Sequence, residues 1–131
     1  MGCVVCATRG GEGSRAAQEA AIRYARENQY KLIFMYVVDF KTLDEFDDSL
    51  LPSVREELTW LGQSLLRIAR HRAEQAGVTA EIVIREGDVM LEIEDFLQEI
   101  KADQLILGAP RGTTANVFGD DSIEKFAQSI Q

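Results

Sequence analysis

The chain has 131 residues, 46% of them hydrophobic and 27% charged, with a formal net charge of −8 at pH 7. This length is that of one domain with one buried core, so we expect residues 1–131 to fold as a single unit. The acidic balance argues against nucleic acid as a partner, because such binders need a basic patch that displaces counterions. No apolar stretch is long enough to cross a bilayer and no signal-peptide pattern is visible, so we expect a cytosolic protein without a membrane partner.

The first half of the chain predicts a strand, a helix and a second strand. The apolar residues 4–7 predict the first strand, and a glycine-rich loop follows at 8–13. Across residues 14–28 alanines recur every three or four positions, which predicts an amphipathic helix that lies close to a sheet. The nearly continuous apolar run 31–38 predicts the second strand. Residues 39–51 are predicted to form a polar, acidic, mobile loop, with Pro52 directly after it.

The second half predicts two more helix and strand pairs and then a final helix. These elements are a long helix at 53–76, a strand at 80–85, a helix at 89–101, a strand at 104–107 and a helix from about 121 to the chain end. The apolar positions predicted to face inward on the two complete helices are Val54, Leu58, Leu61, Leu65, Ile68, Ala69, Leu91, Ile93, Phe96, Leu97 and Ile100. Trp60 is interpreted as a packing residue as well.

Strands that alternate with helices predict an α/β fold, with a doubly wound parallel sheet and helices on both faces. Ligands of such sheets bind beyond the carboxyl ends of the strands, at the point where the strand order reverses. The loops predicted at that edge are 8–13, 38–39, 87–88 and 108–119.

The loop 108–119 joins a buried strand to a helix start, which is the arrangement of a phosphate site. Glycine lets the backbone approach a ligand closely, and a helix start offers unpaired N–H groups. Asp120 and Asp121 stand at that helix start. Their carboxylates accept hydrogen bonds from the same N–H groups and repel a phosphate. The sequence therefore predicts a phosphate site that two acidic side chains have altered.

Three other features are interpreted as structural, so we expect no catalytic residue and no metal ligand among them. Cys3 and Cys6 form a CxxC, but a strand points the two thiols to opposite faces, which argues against redox or zinc use. The basic residues 67–72 are interpreted as a solvated helical face. His71 lies near the C-terminus of its helix, where a histidine usually complements the helix dipole.

Several segments, in this order, resemble the universal stress protein family across essentially the whole chain. They are Tyr36-Val37-Val38-Asp39, Glu86-Gly87-Asp88, residues 102–108 and Ser122-Ile123-Glu124-Lys125-Phe126. The resemblance implies an adenine nucleotide α-hydrolase-like, Rossmann-like sheet in the order 3-2-1-4-5 and a role in stress response. The family's fifth strand, which in many members pairs with its copy, has no apparent counterpart. We therefore expect either a homodimer that covers the edge of the fourth strand or a longer natural chain.

The resemblance also implies a nucleotide site. Members that bind ATP carry Gly, two residues, Gly, nine residues and then Gly with Ser or Thr; Gly108 matches the first position, and Gly112 is shifted by one. Asp121 precedes Ser122 where the family has glycine, and Arg9 stands where the binders keep an aspartate. The implied ligand-binding residues are Thr8, Arg9, Val37, Leu107, Gly108, Arg111, Gly112, Gly119 and Ser122.

These departures leave three functions open. In the first, Arg9 and Arg111 supply positive charge to the phosphate of a weakly bound nucleotide, and AMP meets less repulsion than ATP. In the second, the arginines pair with Asp121 or other acidic residues, which leaves a nucleotide-free interaction module. In the third, residues 9–14, which resemble the glycine loop of ATP pyrophosphatases, make the protein an ATP-cleaving enzyme. We expect the first, a binding or signalling module with AMP or ATP as ligand.

Overall fold

The computed structural model describes residues 2–8, 11–39 and 47–107, without the side chains of residues 11–14. The last predicted helix and the glycine-rich turn before it lie outside the described residues, as does most of the acidic loop. Arg9 is also outside them. The predictions that concern these segments remain predictions.

Four strands and three helices alternate along the described chain, as the sequence predicts. They are β1 (Cys3–Ala7), α1 (Gly11–Asn28), β2 (Lys31–Asp39), α2 (Leu51–Gln75), β3 (Ala80–Gly87), α3 (Val89–Ile100) and β4 (Gln104–Leu107).

The bounds that differ most from the predicted ones are two helix starts and the end of β3, which runs to Gly87 rather than to 85. Helix α1 begins at Gly11 rather than at 14, so two glycines predicted in the loop lie in its first turn. Helix α2 begins at Leu51 because Pro52 is tolerated in the first turn, where its missing N–H has no partner to lose.

The strands form one parallel sheet in the order β3-β2-β1-β4, which confirms the predicted fold class and strand order. In its register Ala7 of β1 lies between Met35 of β2 and Leu107 of β4. Asp103 fixes the start of the β1–β4 pair, because its carboxylate accepts from the Cys3 N–H at 2.7 Å and its own N–H donates to the Cys3 carbonyl at 2.8 Å. Strand β1 is therefore held on both sides along its full length.

Helices cover both faces of the sheet and bury one apolar cluster on each. The cluster under α1 and α2 includes Val4, Cys6, Leu32 and Phe34 from the sheet and Ala17, Ala21, Ile22, Ala25, Leu66, Ala69 and Ala73 from the helices. The cluster under α3 includes Val5, Ala7, Ile33, Met35, Val37 and Leu105 from the sheet and Val89, Ile93, Phe96 and Leu97 from the helix. Burial of these side chains is the main stabilising contribution to the fold.

Helix α2 lies close to the sheet because glycine occupies the point of contact. A Cβ atom placed on Gly62 would lie 2.6 Å from Cδ1 of Tyr36 in β2 and 2.9 Å from Cδ1 of Ile84 in β3. Both distances are far below van der Waals contact. The ring of Tyr36 therefore occupies the space in which any larger residue at position 62 would carry its side chain.

Four of the predicted inward positions are wrong. Leu61 and Ile68 of α2 are exposed, and so are Trp60 and, on α3, Leu91. The residues of α2 that are buried are Gly62, Leu66, Ala69 and Ala73. Because three of these four residues are small, the sheet covers a narrower strip of the helix than its apolar spacing suggests.

We expect Gly62→Ala to lower the free energy of unfolding by about 1–2 kcal/mol. Alanine gains about 1 kcal/mol of helix propensity, but the clash with Tyr36 is overpacking of a well-filled core, which costs about 1–3 kcal/mol or more. Urea unfolding measures the change, and Glu56→Ala, an exposed position of the same helix, should stay within about 0.5 kcal/mol of the parent. A Gly62→Ala variant more stable than the parent would contradict the close approach.

Candidate functional site

Thr8 follows β1 at the carboxyl edge of the sheet and is fully buried. Its N–H donates to the Met35 carbonyl at 2.8 Å, which continues the ladder between β1 and β2 by one residue. Its hydroxyl oxygen accepts from the Gln18 side chain, with 2.7 Å between Nε2 and Oγ1. The hydroxyl is thus fixed from the α1 side and keeps its own proton for donation.

Gln18 connects this hydroxyl to a cation on α2. The Gln18 side chain is buried in α1, and its Oε1 accepts from Nη1 of Arg72 at 2.7 Å. The interpretation of residues 67–72 as a wholly solvated face is therefore wrong for Arg72, whose guanidinium reaches across to α1. A buried amide that is satisfied at both ends is rigid, because breaking either bond leaves a polar group unpaired.

Sequence reasoning did not select Gln18 or Arg72. The available signal was in α1, where Gln18 stands at helical spacing from the core residues Ala21, Ile22 and Ala25. A polar residue on the inward face of a helix needs a buried partner. The identity of that partner was not readable, because Arg72 is 54 positions away in sequence.

Val37 and Leu107 lie at the same edge of the sheet as Thr8 but face the α3 side. Val37 is buried in the cluster under α3, and Leu107 packs against that cluster from β4. The structure therefore brings Thr8, Val37 and Leu107 to one edge, on two faces of the sheet. The other predicted binding residues lie outside the described residues: Arg9, Gly108, Arg111, Gly112, Gly119 and Ser122.

The turn from β3 to α3 also lies at this edge, and the start of α3 is already capped by a side chain of the protein. The Asp88 carboxylate accepts from the Leu91 N–H at 3.1 Å, which caps α3. Gly87 has φ of +151°, a conformation that other residues rarely adopt, and a Cβ there would lie 2.8 Å from Oε2 of Glu92. The α3 start thus presents carboxylates rather than free amides, which disfavours an anion at this position.

Charged side chains of β3 are paired with the helices on either side. Arg85 donates two hydrogen bonds to Glu99, at 2.8 and 2.9 Å, and its guanidinium carbon lies 5.0 Å from the centroid of the Phe96 ring. The Arg85 guanidinium lowers the pKa of the Glu99 carboxyl. Glu86 accepts from Arg55 of α2 at 2.8 Å. These contacts hold α2 and α3 to β3 rather than leaving charge for a ligand.

The two cysteines are free and face opposite sides of the sheet, as the sequence predicts. Burial raises the pKa of the Cys6 thiol from 9.0 to about 12 and also raises that of Cys3, so neither is an activated thiolate. Among the described residues no three His, Cys, Asp or Glu side chains are grouped to hold a metal ion. In the same part of the chain no helix combines the length and apolar character needed to span a membrane.

We expect Gln18→Leu to destabilise the protein by about 1–3 kcal/mol, because it leaves the buried Thr8 hydroxyl and the Arg72 guanidinium without a partner. Gln18→Glu keeps an acceptor for Arg72 and an acceptor for the Thr8 proton, so this variant should be destabilised less than Gln18→Leu. Urea unfolding compares the two, with Arg67→Met, an exposed arginine of the same helix, as the control for loss of charge. Equal effects of the Leu and Glu variants would contradict the role of the hydrogen bonds.

Solved structures of other proteins share this fold. Universal stress protein UspA from Lactobacillus plantarum is 20% identical, with a TM-score of 0.77 over 98% of this chain and 90% of that one. A member of the universal stress protein family from Burkholderia pseudomallei is 25% identical, with a TM-score of 0.71 over 97% of this chain and 87% of that one. A universal stress protein in complex with cAMP is 24% identical, with a TM-score of 0.63 over 80% of this chain and 74% of that one.

No curated protein matches the chain in sequence. The sequence model of the Universal stress protein family matches residues 2–128, which is nearly the whole length. The described strands follow one another in the order that the family resemblance implies. The chain therefore belongs to the universal stress protein family.

Proposed function

We propose that this protein is a cytosolic binding or signalling module that holds an adenine nucleotide weakly and does no chemistry on it. The observation that carries the proposal is the position of Thr8, a buried hydroxyl anchored at the carboxyl end of the central strand.

Thr8 lies where the order of the strands along the sheet reverses. From β1 the chain goes to β2 on one side, whereas β4 flanks β1 on the other side. Helix α1 leaves over one face, and α3 covers the other. In open α/β sheets this switch point has a crevice at the carboxyl ends of the strands, and ligands bind there. We propose that a ligand at that crevice lies over the buried Thr8 hydroxyl, with Val37 and Leu107 as apolar residues at the same edge on the opposite face of the sheet.

The charges around the site favour a ligand with few negative charges. We propose that Arg9, Arg111 and Ser122 contact the phosphate and that Gly108, Gly112 and Gly119 let the backbone come close. Asp120 and Asp121 oppose that phosphate, and the repulsion grows with its charge. AMP and cAMP therefore suit the site better than ATP. The complex of a related universal stress protein with cAMP supports a ligand of this class.

Calorimetric titration of the purified protein with cAMP, AMP and ATP, with and without magnesium, tests the proposal. We expect cAMP or AMP to bind more tightly than ATP, and Asp121→Gly to strengthen ATP binding by about tenfold, since about 1.4 kcal/mol of repulsion is removed. Thr8→Val should weaken the preferred nucleotide by about fivefold or more, whereas Thr8→Ser should not. Thr79→Val, an exposed threonine at the opposite edge of the sheet, is the matched control.

Each other outcome has a clear meaning. If no nucleotide binds at millimolar concentration, the nucleotide-free interaction module is favoured instead. If ATP binds most tightly and Asp121→Gly changes nothing, the electrostatic part of the proposal is wrong. Release of pyrophosphate or phosphate during the titration would favour the ATP-cleaving enzyme.

We also propose that the protein forms a homodimer through the outer edge of β4. Among the described residues β1 is the only strand paired with β4, and the family resemblance implies pairing between copies at this side of the sheet. Light scattering at micromolar concentration should give the mass of two chains. A mass of one chain under these conditions would contradict the dimer.

A further inference from the structure

Exposed apolar side chains are concentrated on α2. In the described part of the chain five large hydrophobic residues are strongly exposed, and three of them lie on α2: Trp60 (63%), Leu61 (42%) and Ile68 (49%). Leu50, 50% exposed, directly precedes the helix, and the fifth, Leu91 (59%), stands apart on α3. Single exposed hydrophobic residues are ordinary, but several on one helix form a patch of the kind that marks an interaction surface.

The patch has the spacing of a helix-pairing seam. Val54, Leu61 and Ile68 recur every seven residues, and the row between them, Glu57, Ser64 and His71, is polar. A seven-residue repeat of this kind keeps one stripe of a helix facing a partner helix. The stripe lies beside the buried positions, which are those around Gly62, so the sheet does not cover it.

The charges of α2 differ between its two halves. The first half carries the exposed carboxylates Glu56 and Glu57, and the second half carries the basic residues Arg67 and Arg70. Arg55, also in the first half, is tied to a carboxylate of β3 and does not neutralise its neighbours. A second α2 helix in the antiparallel direction therefore meets opposite charge along its length, whereas a parallel one meets like charge.

We propose that α2 pairs with α2 of a second copy of this chain, antiparallel and about a two-fold axis near Leu61 and Ser64. Such an interface is isologous, so each side supplies the same residues. Leu61 and Ile68 fill the seam, and Glu57 faces the Arg67 and His71 region of the second copy. Trp60 flanks the seam on the same side as Arg67, which allows a cation–π contact between Trp60 and Arg67 of the second copy.

This pairing is weaker than that of a permanent dimer. A stable interface buries about 800 Å² on each partner, and one seam of three helical turns covers less. We therefore expect association in the high micromolar range. The surface is separate from the edge of β4, so pairing through α2 raises the mass at least twofold above that of whatever unit exists at low concentration.

Trp60 reports directly on this surface because it is the only tryptophan of the chain. Sedimentation velocity and Trp60 fluorescence are measured together on the full chain from about 1 µM to 1 mM, the range in which interfaces of this size assemble. We expect the mass to rise at least twofold with concentration, the emission to move to shorter wavelength, and iodide quenching of Trp60 to fall by about twofold or more as the indole leaves water.

Introducing one charged side chain into the seam tests the proposal by mutation. Ile68→Glu should weaken association by at least tenfold, whereas Leu91→Glu, an equally exposed apolar position on α3, should leave it unchanged. Circular dichroism and thermal unfolding check that both variants fold, and the exposure of both positions makes this the expected result.

A charge exchange tests the orientation. Glu57→Arg should weaken association by about fivefold, and adding Arg67→Glu should restore it, because the two positions face each other only in the antiparallel arrangement. The proposal is overturned if the mass stays constant over the whole range. It is also overturned if Ile68→Glu behaves like Leu91→Glu or if Trp60 stays fully quenchable while the mass rises; either result places the contact elsewhere, for example at the β4 edge.

Discussion

The hydrogen bond from Gln18 to Thr8 is the contact on which the organisation of the candidate site depends. It ties the end of the central strand to α1, and Arg72 extends the tie to α2. The side chains of Thr8 and Gln18 are buried, so their polar atoms require partners within the protein. Polar contacts thus hold the carboxyl end of β1 in place, whereas apolar burial holds the helices against the two faces of the sheet.

Apolar burial leaves α2 with an unusual surface. The helix approaches the sheet through Gly62 and then through Ala69 and Ala73, and these residues bring little apolar area of their own. Leu66 is the large apolar side chain of the helix buried in this contact, whereas Leu61 and Ile68 lie beside it and are exposed. Close packing on one side and an exposed seam on the other are two results of the same placement of small residues.

The sequence was sufficient for the fold because its signals are local. Residues Gln104–Leu107 are an apolar run between a polar residue and a glycine, and β4 has these bounds. The start of α1 was missed because two glycines suggest a loop, although the first turn of a helix has no intrahelical N–H bonds to lose. The exposure of Trp60 was missed because helical spacing defines an apolar arc but not the part of it that meets the sheet.

The candidate site was less readable, because its polar contacts join residues distant in sequence. Thr8 could be selected from its position after a buried strand. Arg72, which donates to the Gln18 that holds Thr8, belongs to another helix and could not. The family resemblance implies Val37 and Leu107 as ligand-binding residues but does not point to Gln18 or Arg72. Local sequence patterns therefore locate the carboxyl edge of the sheet, and only the structure shows which side chains contact Thr8 there.

The hydrogen bonds from Thr8 through Gln18 to Arg72 also connect the carboxyl end of β1 with α2. Arg72 lies on the same helix as the exposed seam, so the orientation of that helix and the geometry of the strand end share one set of hydrogen bonds. Thermodynamic coupling of this kind is reciprocal. If a ligand binds at the Thr8 hydroxyl and stabilises these hydrogen bonds, fixing the position of α2 favours binding of that ligand to the same extent.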